Sequence, residues 1–196
     1  MIIAFLHARQ DPACANKMLA AVHRHMPFAR LMQLTDDETP QLPGCTAVRR
    51  KWNQNPMLFK MDHLASLGGE VLVLDTDVIV QADLSPIFSL PFDLALTWRD
   101  GPIFDSSGQD VTIRMPINCG VMWSRKIAFW QDCLDWCEGK KVGWYADQLA
   151  VAAVAPKWDV LRLHADNFNY TPGSDDENVS RRLAVHYKGH RKAWMP

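Results

Sequence analysis

Two carboxylates interrupt an apolar run at residues 71–80, VLVLDTDVIV. Asp75 and Asp77 are two apart, and side chains two apart along a strand leave the same side of it. At about 3.3 Å per residue the acids stand roughly 6–7 Å apart, where they repel unless a proton, cation or metal lies between them. Hard divalent ions such as Mn2+ and Mg2+ take carboxylate oxygens and commonly bridge them to substrate phosphates. The pair is therefore a candidate metal–diphosphate site. The plainer alternative is a strand end with solvated acids, and the spacing alone does not separate the two.

Three further stretches carry chemistry. The segment AVHYKGHRKAWM at 184–195 offers an imidazole (His186), a glycine that permits close backbone approach (Gly189) and a point charge suited to phosphate (Lys192). By itself it also reads as a basic, solvated C-terminus. Chain ends usually fray, so chemistry placed there predicts a lid over the diphosphate that ligand orders. PINCGVM at 116–122 sets the amide of Asn118 beside Gly120 at a strand start. ADQLAVA at 146–152 opens an apolar helix with Asp147 and Gln148, although acids favour that end of the helix dipole on structural grounds alone.

The elements that must position these residues follow from periodicity. IIAFL (2–6) reads as a strand, 13–26 as a helix and 29–36 as a second strand. Strand, helix, strand at this pitch is a βαβ unit and implies a mostly parallel sheet covered by helices. A helix at 55–68 feeds the strand ending in LDTD. A strand at 93–98, a Gly/Ser/Asp-rich loop at 99–110, an apolar strand at 118–124 and helices at 125–139 and 144–155 complete the pattern. In open α/β sheets ligands bind beyond the carboxyl ends of the strands, and Asp75 and Asp77 fall at such an end. That favours the functional reading of the pair.

Composition bounds the rest. The 196 residues, 22.3 kDa, with 48% hydrophobic and 22% charged residues, suit one domain spanning 1–196. A formal charge of −1 gives no global field toward nucleic acid or anionic lipid. Five cysteines, an odd number with no C-x-x-C pair, suit free thiols in a reducing compartment; Cys133 and Cys137 read as small core residues. IIAFL is too short for a signal h-region and no apolar run reaches membrane-spanning length. A cytoplasmic location is the expectation.

Taken in order, LDTD, NCGV, ADQLAVA and HYKGHRKAW form a pattern. It resembles the retaining glycosyltransferases related to glycogenin and to the bacterial lipopolysaccharide galactosyl- and glucosyltransferases. Their C-terminal H-x-x-G-x-x-K-P-W is the most specific match, with Ala193 here in place of proline. Lys60, in FKMDHLASL, is similar to an upstream basic residue of that family, and WDVLRLHADNFNY to its L-P-x-x-[WF]-N segment. The resemblance implies a GT-A (Rossmann-like) nucleotide-sugar-binding domain with a mostly parallel mixed central sheet flanked by helices. It implies a metal-dependent transferase moving a hexose from UDP-glucose or UDP-galactose to an acceptor: a saccharide, lipid-linked glycan, protein or modified nucleobase. On the same basis Asp75, Asp77 and His186 would hold Mn2+ or Mg2+, with Gly189 and Lys192 on the diphosphate. Thr76, His7 and Ala8 would lie near ribose and base. Lys60, Asn118 with Gly120, Asp147 and Gln148 would face the sugar, the last two beside the anomeric carbon.

Two other readings compete. A haloacid-dehalogenase-type phosphatase also carries D-x-D after an apolar strand, with a nucleophilic first Asp and bound Mg2+. DLALT (93–97) would supply its threonine and SDDE (174–177) its later acids, but Val78 stands where such enzymes have glycine. A non-catalytic sugar-nucleotide-binding domain is the other.

Overall fold

The computed structural model describes residues 1–104 and 107–196. In chain order the strands and helices are β1 (Ile2–Leu6), α1 (Ala13–His25), β2 (Arg30–Thr35), β3 (Thr46–Arg49), α2 (Pro56–Leu64), β4 (Val71–Leu74), β5 (Val78–Val80), β6 (Leu94–Trp98), β7 (Ile117–Ser124), α3 (Ile127–Cys137), α4 (Ala146–Val154), β8 (Val160–His164), α5 (Ala165–Phe168) and β9 (Ala184–His186).

Seven strands form the main sheet in the order β3-β2-β1-β4-β7-β6-β8. Neighbours pair in parallel except at β7, which runs antiparallel to both β4 and β6. This is the mostly parallel mixed sheet that the βαβ pattern implies. Alternation along the central strands divides the core in two. Ile3, Phe5, Leu72 and Leu74 pack with Met18 and Val22 of α1 on one face. Ala4, Val71 and Val73 pack with Met61, Phe129, Trp130, Ala150 and Val151 of α2, α3 and α4 on the other. β4 is buried along its length, which is why its four residues are all apolar.

β5 and β9 form a separate antiparallel ladder, pairing Val78 with His186, Ile79 with Val185 and Val80 with Ala184. At three residues each they are too short for any periodicity to show. Helix α2 ends at Leu64 and not at 68; Gly69 lies in the turn beyond it at φ +90°. The C-terminal segment, expected to form a lid, is anchored at both ends, with exposed residues between. β9 is buried, Met195 is buried, and the Lys17 ammonium donates to the Met195 carbonyl at 2.7 Å. All five cysteines are free thiols, with Cys133 and Cys137 in the core. Among the described residues, no helix is long and apolar enough to cross a membrane.

Candidate active site

β4 stops at Leu74, so Asp75–Asp77 form a turn and not a strand continuation; the Val78 amide closes it on the Asp75 carbonyl at 3.1 Å. Strand alternation is therefore not what brings the two carboxylates together. The turn does, and the β5–β9 ladder adds the third group. Pairing of His186 with Val78, and of the Tyr187 amide with the Asp77 carbonyl at 2.8 Å, sets the imidazole beside both acids. Nε2 of His186 lies 3.0 Å from Asp77 Oδ1 and 3.8 Å from Asp75 Oδ2. One ligand atom from each of the three falls within 4.8 Å of the others, tighter than the 6–7 Å spacing of an extended pair.

The imidazole is fixed by groups behind it. Asn169 is buried, and its Nδ2 donates to the Asn118 carbonyl at 2.9 Å and to Thr97 Oγ1 at 2.8 Å. A carbonyl can only accept, so the amide orientation is settled and its Oδ1 faces His186 Nδ1 at 2.9 Å. Nδ1 must therefore carry a proton and donate. In the neutral ring Nε2 is then a bare lone pair aimed at two carboxylates. That arrangement repels unless a cation stands between them or the ring is itself charged. An outer carbonyl or amide that sets the tautomer is the usual support of a metal-ligating histidine. Gly120 completes the cradle: a Cβ there would lie 2.2 Å from both Cε1 and Nδ1 of His186. Its place in the sequence pattern thus has a packing cause, since only a hydrogen fits beneath the ring.

Charge around the turn is heavily committed. The Lys60 side chain is 1% exposed, with its ammonium 2.9 Å from Asp147 Oδ2 and 3.1 Å from Asp75 Oδ1. It sits on α2, whose N-terminus is capped by Asn55 accepting from the Met57 and Leu58 amides ahead of Pro56. Burial alone would lower the Lys60 pKa, but Asp147 and then Asp75 outweigh it and the ammonium is raised. Burial pushes the Asp77 carboxyl up, yet His186 and Lys192, the latter 3.2 Å away, bring it down to about 2. Lys188 is held down at about 8, first by burial and then by the Arg99 charge.

Beyond the turn opens a cavity of about 490 Å³. Of the residues singled out in the sequence, Asp75, Asp77, Asn118, Gly120, Asp147, Gln148, His186, Gly189 and Lys192 line it. Gly189 adopts φ +60°, a left-handed conformation that favours glycine. Lys60 sits behind this wall, bridging Asp75 and Asp147. Thr76 is half-buried in the turn and does not line the cavity. His7 and Ala8 are buried at the end of β1, away from the cavity wall. Nearby, His7 Nδ1 and Thr35 Oγ1 are buried without a protein partner. The cavity also takes in Arg99, Lys188, Trp144 and Tyr145, which the sequence reading passed over. Arg99 directly follows an apolar strand and Lys188 lies inside HYKGHRK, so position alone could have marked both. Asn169 falls in the stretch likened to L-P-x-x-[WF]-N, yet that likeness assigned it no role, because its partners come from β6 and β7.

This sheet, with its acidic turn after the fourth strand and a histidine from the last strand, is the GT-A fold. No sequence-family model matches the chain and no curated protein sequence does, whereas solved structures match over almost its whole length. The galactosyltransferase LgtC, solved with donor and acceptor sugar analogs, is 17% identical with a TM-score of 0.64, covering 97% of this chain and 88% of its own. The glycosyltransferase GlyE of Streptococcus pneumoniae is 18% identical with a TM-score of 0.68, over 98% of this chain and 58% of its own. A glycosyltransferase involved in glycosylation of the major capsid of PBCV-1 is 14% identical with a TM-score of 0.64, over 98% and 96%.

Proposed function

We propose that this chain is a metal-dependent, retaining glycosyltransferase that moves a hexose from UDP-glucose or UDP-galactose to an acceptor. The observation that carries the reading is the His186 ring: Asn169 accepts from Nδ1, so the neutral ring would present its Nε2 lone pair to the space shared with Asp75 and Asp77. Two carboxylates and a neutral imidazole are a donor set that suits Mn2+, with Mg2+ less natural because of the nitrogen. The residues present thus fit the ion that the fold class implies. When bound there, the metal would neutralise charge on the donor diphosphate as it leaves.

The chain's own residues supply the rest. Lys192 adds a positive charge for the phosphates, and the left-handed Gly189 turns the backbone toward them. Lys60 holds Asp75 and Asp147 in fixed positions, so neither carboxylate has to reorganise as charge develops. Gln148 presents its amide to the cavity, its Oε1 accepting from Arg99, and with Asp147 would stand beside the oxocarbenium-like carbon. His7, Ala8 and Thr76 would receive ribose and base where the donor extends beyond this cavity. The unbridged thiols fit a cytoplasmic setting and the domain would span 1–196. The phosphatase reading is weaker, because Thr97 is buried between Asn169 and the Asn118 carbonyl and Glu177 is taken by the Tyr170 hydroxyl. The test is calorimetric titration of UDP with and without Mn2+, then NMR of product from UDP-glucose. Expected are Mn2+-dependent UDP binding, abolished or reduced roughly 30- to 1,000-fold in Asp77→Asn, and product with the donor's anomeric configuration. Metal-independent binding or inverted product would exclude this function.

A further inference from the structure

Arg99 and Lys188 reach the cavity from opposite elements, Arg99 just after β6 and Lys188 just after β9, and both are half-buried. Among the described residues neither is paired with a carboxylate. The other cations here are paired, Lys60 with Asp75 and Asp147 and Lys192 with Asp77. Arg99 instead donates through Nε to the Met115 carbonyl at 3.1 Å and through Nη2 to Gln148 Oε1, both neutral acceptors, and among the described residues Nη1 has no acceptor. Among the described residues the Lys188 ammonium has no hydrogen-bond acceptor, and no carboxylate lies within 4.0 Å of either cation. Asp75 and Asp77 attract Lys188 only from farther off, and a divalent ion on their oxygens would cancel that attraction.

Half-buried cations left unpaired are costly, and two in one cavity repel each other as well. Such a pair is stabilised by an incoming anion. On the glycosyltransferase reading the donor diphosphate already has the metal ligands, Gly189 and Lys192 to receive it. Arg99 is fixed to Gln148, the residue assigned to the transferred sugar, and Lys188 shares the cavity with Arg99 closely enough to feel its charge, which ties the surplus charge to the sugar end.

We propose that Arg99 and Lys188 form a subsite for a carboxylate or phosphate carried by a substrate sugar, separate from the donor diphosphate. This rests on the glycosyltransferase reading. The anionic group would be a hexuronate carboxylate on the donor or a charged group on the acceptor sugar; the recognition chemistry is the same, with the guanidinium fork and ammonium sharing the anion.

The experiment uses Mn2+-loaded protein and calorimetry. UDP-glucuronate is compared with UDP-glucose; then, with UDP bound, glucose 6-phosphate is compared with glucose. In at least one comparison the anionic ligand should bind about tenfold or more tighter than its neutral counterpart, as expected of a charge-assisted contact. Which comparison responds identifies the source. The preference should shrink with added salt, and Arg99→Gln and Lys188→Gln should each bring the ratio toward one; Lys188 donates to no described residue, so its variant removes no hydrogen bond among them. If UDP binds but neither anionic ligand is preferred, or the preference survives both substitutions, the subsite is wrong and the transferase reading stands. If each variant weakens UDP and the anionic ligand equally, the cations serve the diphosphate and the subsite is again wrong. Failure of UDP itself to bind overturns both.

Discussion

Gly120→Ala should disable the metal site without touching any ligand. The added Cβ would lie 2.2 Å from Cε1 and Nδ1 of His186 and 3.1 Å from Asn169 Oδ1. Carbon contacts are comfortable at about 3.5–4.0 Å, so ring and strand must separate by roughly 1.3 Å or more. Metal–nitrogen bonds hold to within about 0.2 Å, which leaves His186 out of range unless the whole turn follows. The turn has little freedom to follow, because the Asp75 amide donates to the Gly120 carbonyl at 2.9 Å and the β5–β9 ladder pins the other side. We expect the Mn2+ dissociation constant to rise about 10- to 100-fold, the range for losing orientation of a ligand. Overpacking should cost about 1–3 kcal/mol, or roughly 2–12 °C in Tm for a chain of this size. Free Mn2+ measured by electron paramagnetic resonance gives the affinity, and circular dichroism melting shows that the variant is folded. His186→Ala should lose as much, and the double variant little more, since both act through one ring. A folded Gly120→Ala protein whose Mn2+ affinity stays within twofold of the parent would refute the cradle.

Three further outcomes follow from the same geometry. Asn169→Ala should free His186 Nδ1, changing its tautomer in 15N NMR and weakening Mn2+ about tenfold, whereas an unchanged tautomer would show that Asn169 does not set it. Lys60→Met leaves buried Asp147 without its cation and should cost about 3–5 kcal/mol in urea denaturation; a loss under about 1 kcal/mol would contradict the buried pairing. Burial raises the Asp36 carboxyl, but Thr39 and Arg9, the latter 2.5 Å away, outweigh it and hold it at about 2. A folded pKa below the unfolded value of about 3.9 gives stability that is present above pH 4 and lost as pH falls through 2. Asp36→Asn should therefore lower Tm at pH 7, with the gap closing toward pH 2; a gap independent of pH would assign the effect to packing alone.

Much of this site was legible because its parts lie in runs whose local pattern is strong. VLVLDTD shows a buried strand broken by acids, and NCGV and ADQLAVA show a strand and a helix start with polar groups attached. HYKGHRKAW shows its chemistry but not its place. His186 sits in a strand of three residues that exists only because it pairs with β5, and its partner Asn169 is bonded by side chains from two other strands. For Lys60 the resemblance implied a place facing the sugar, and only the structure shows it buried between two acids.

The sequence by itself determined the order of the elements from β1 to α4 apart from the short β3 and β5, the mostly parallel sheet and the end of it at which the acids gather, because hydrophobic periodicity and chain connectivity are local properties. Tertiary structure alone decided which nitrogen of His186 is protonated, why position 120 admits no side chain, and which cations are left unpaired. Each depends on atoms brought within a few ångströms from distant segments, and contact of that kind leaves no spacing in the chain to read.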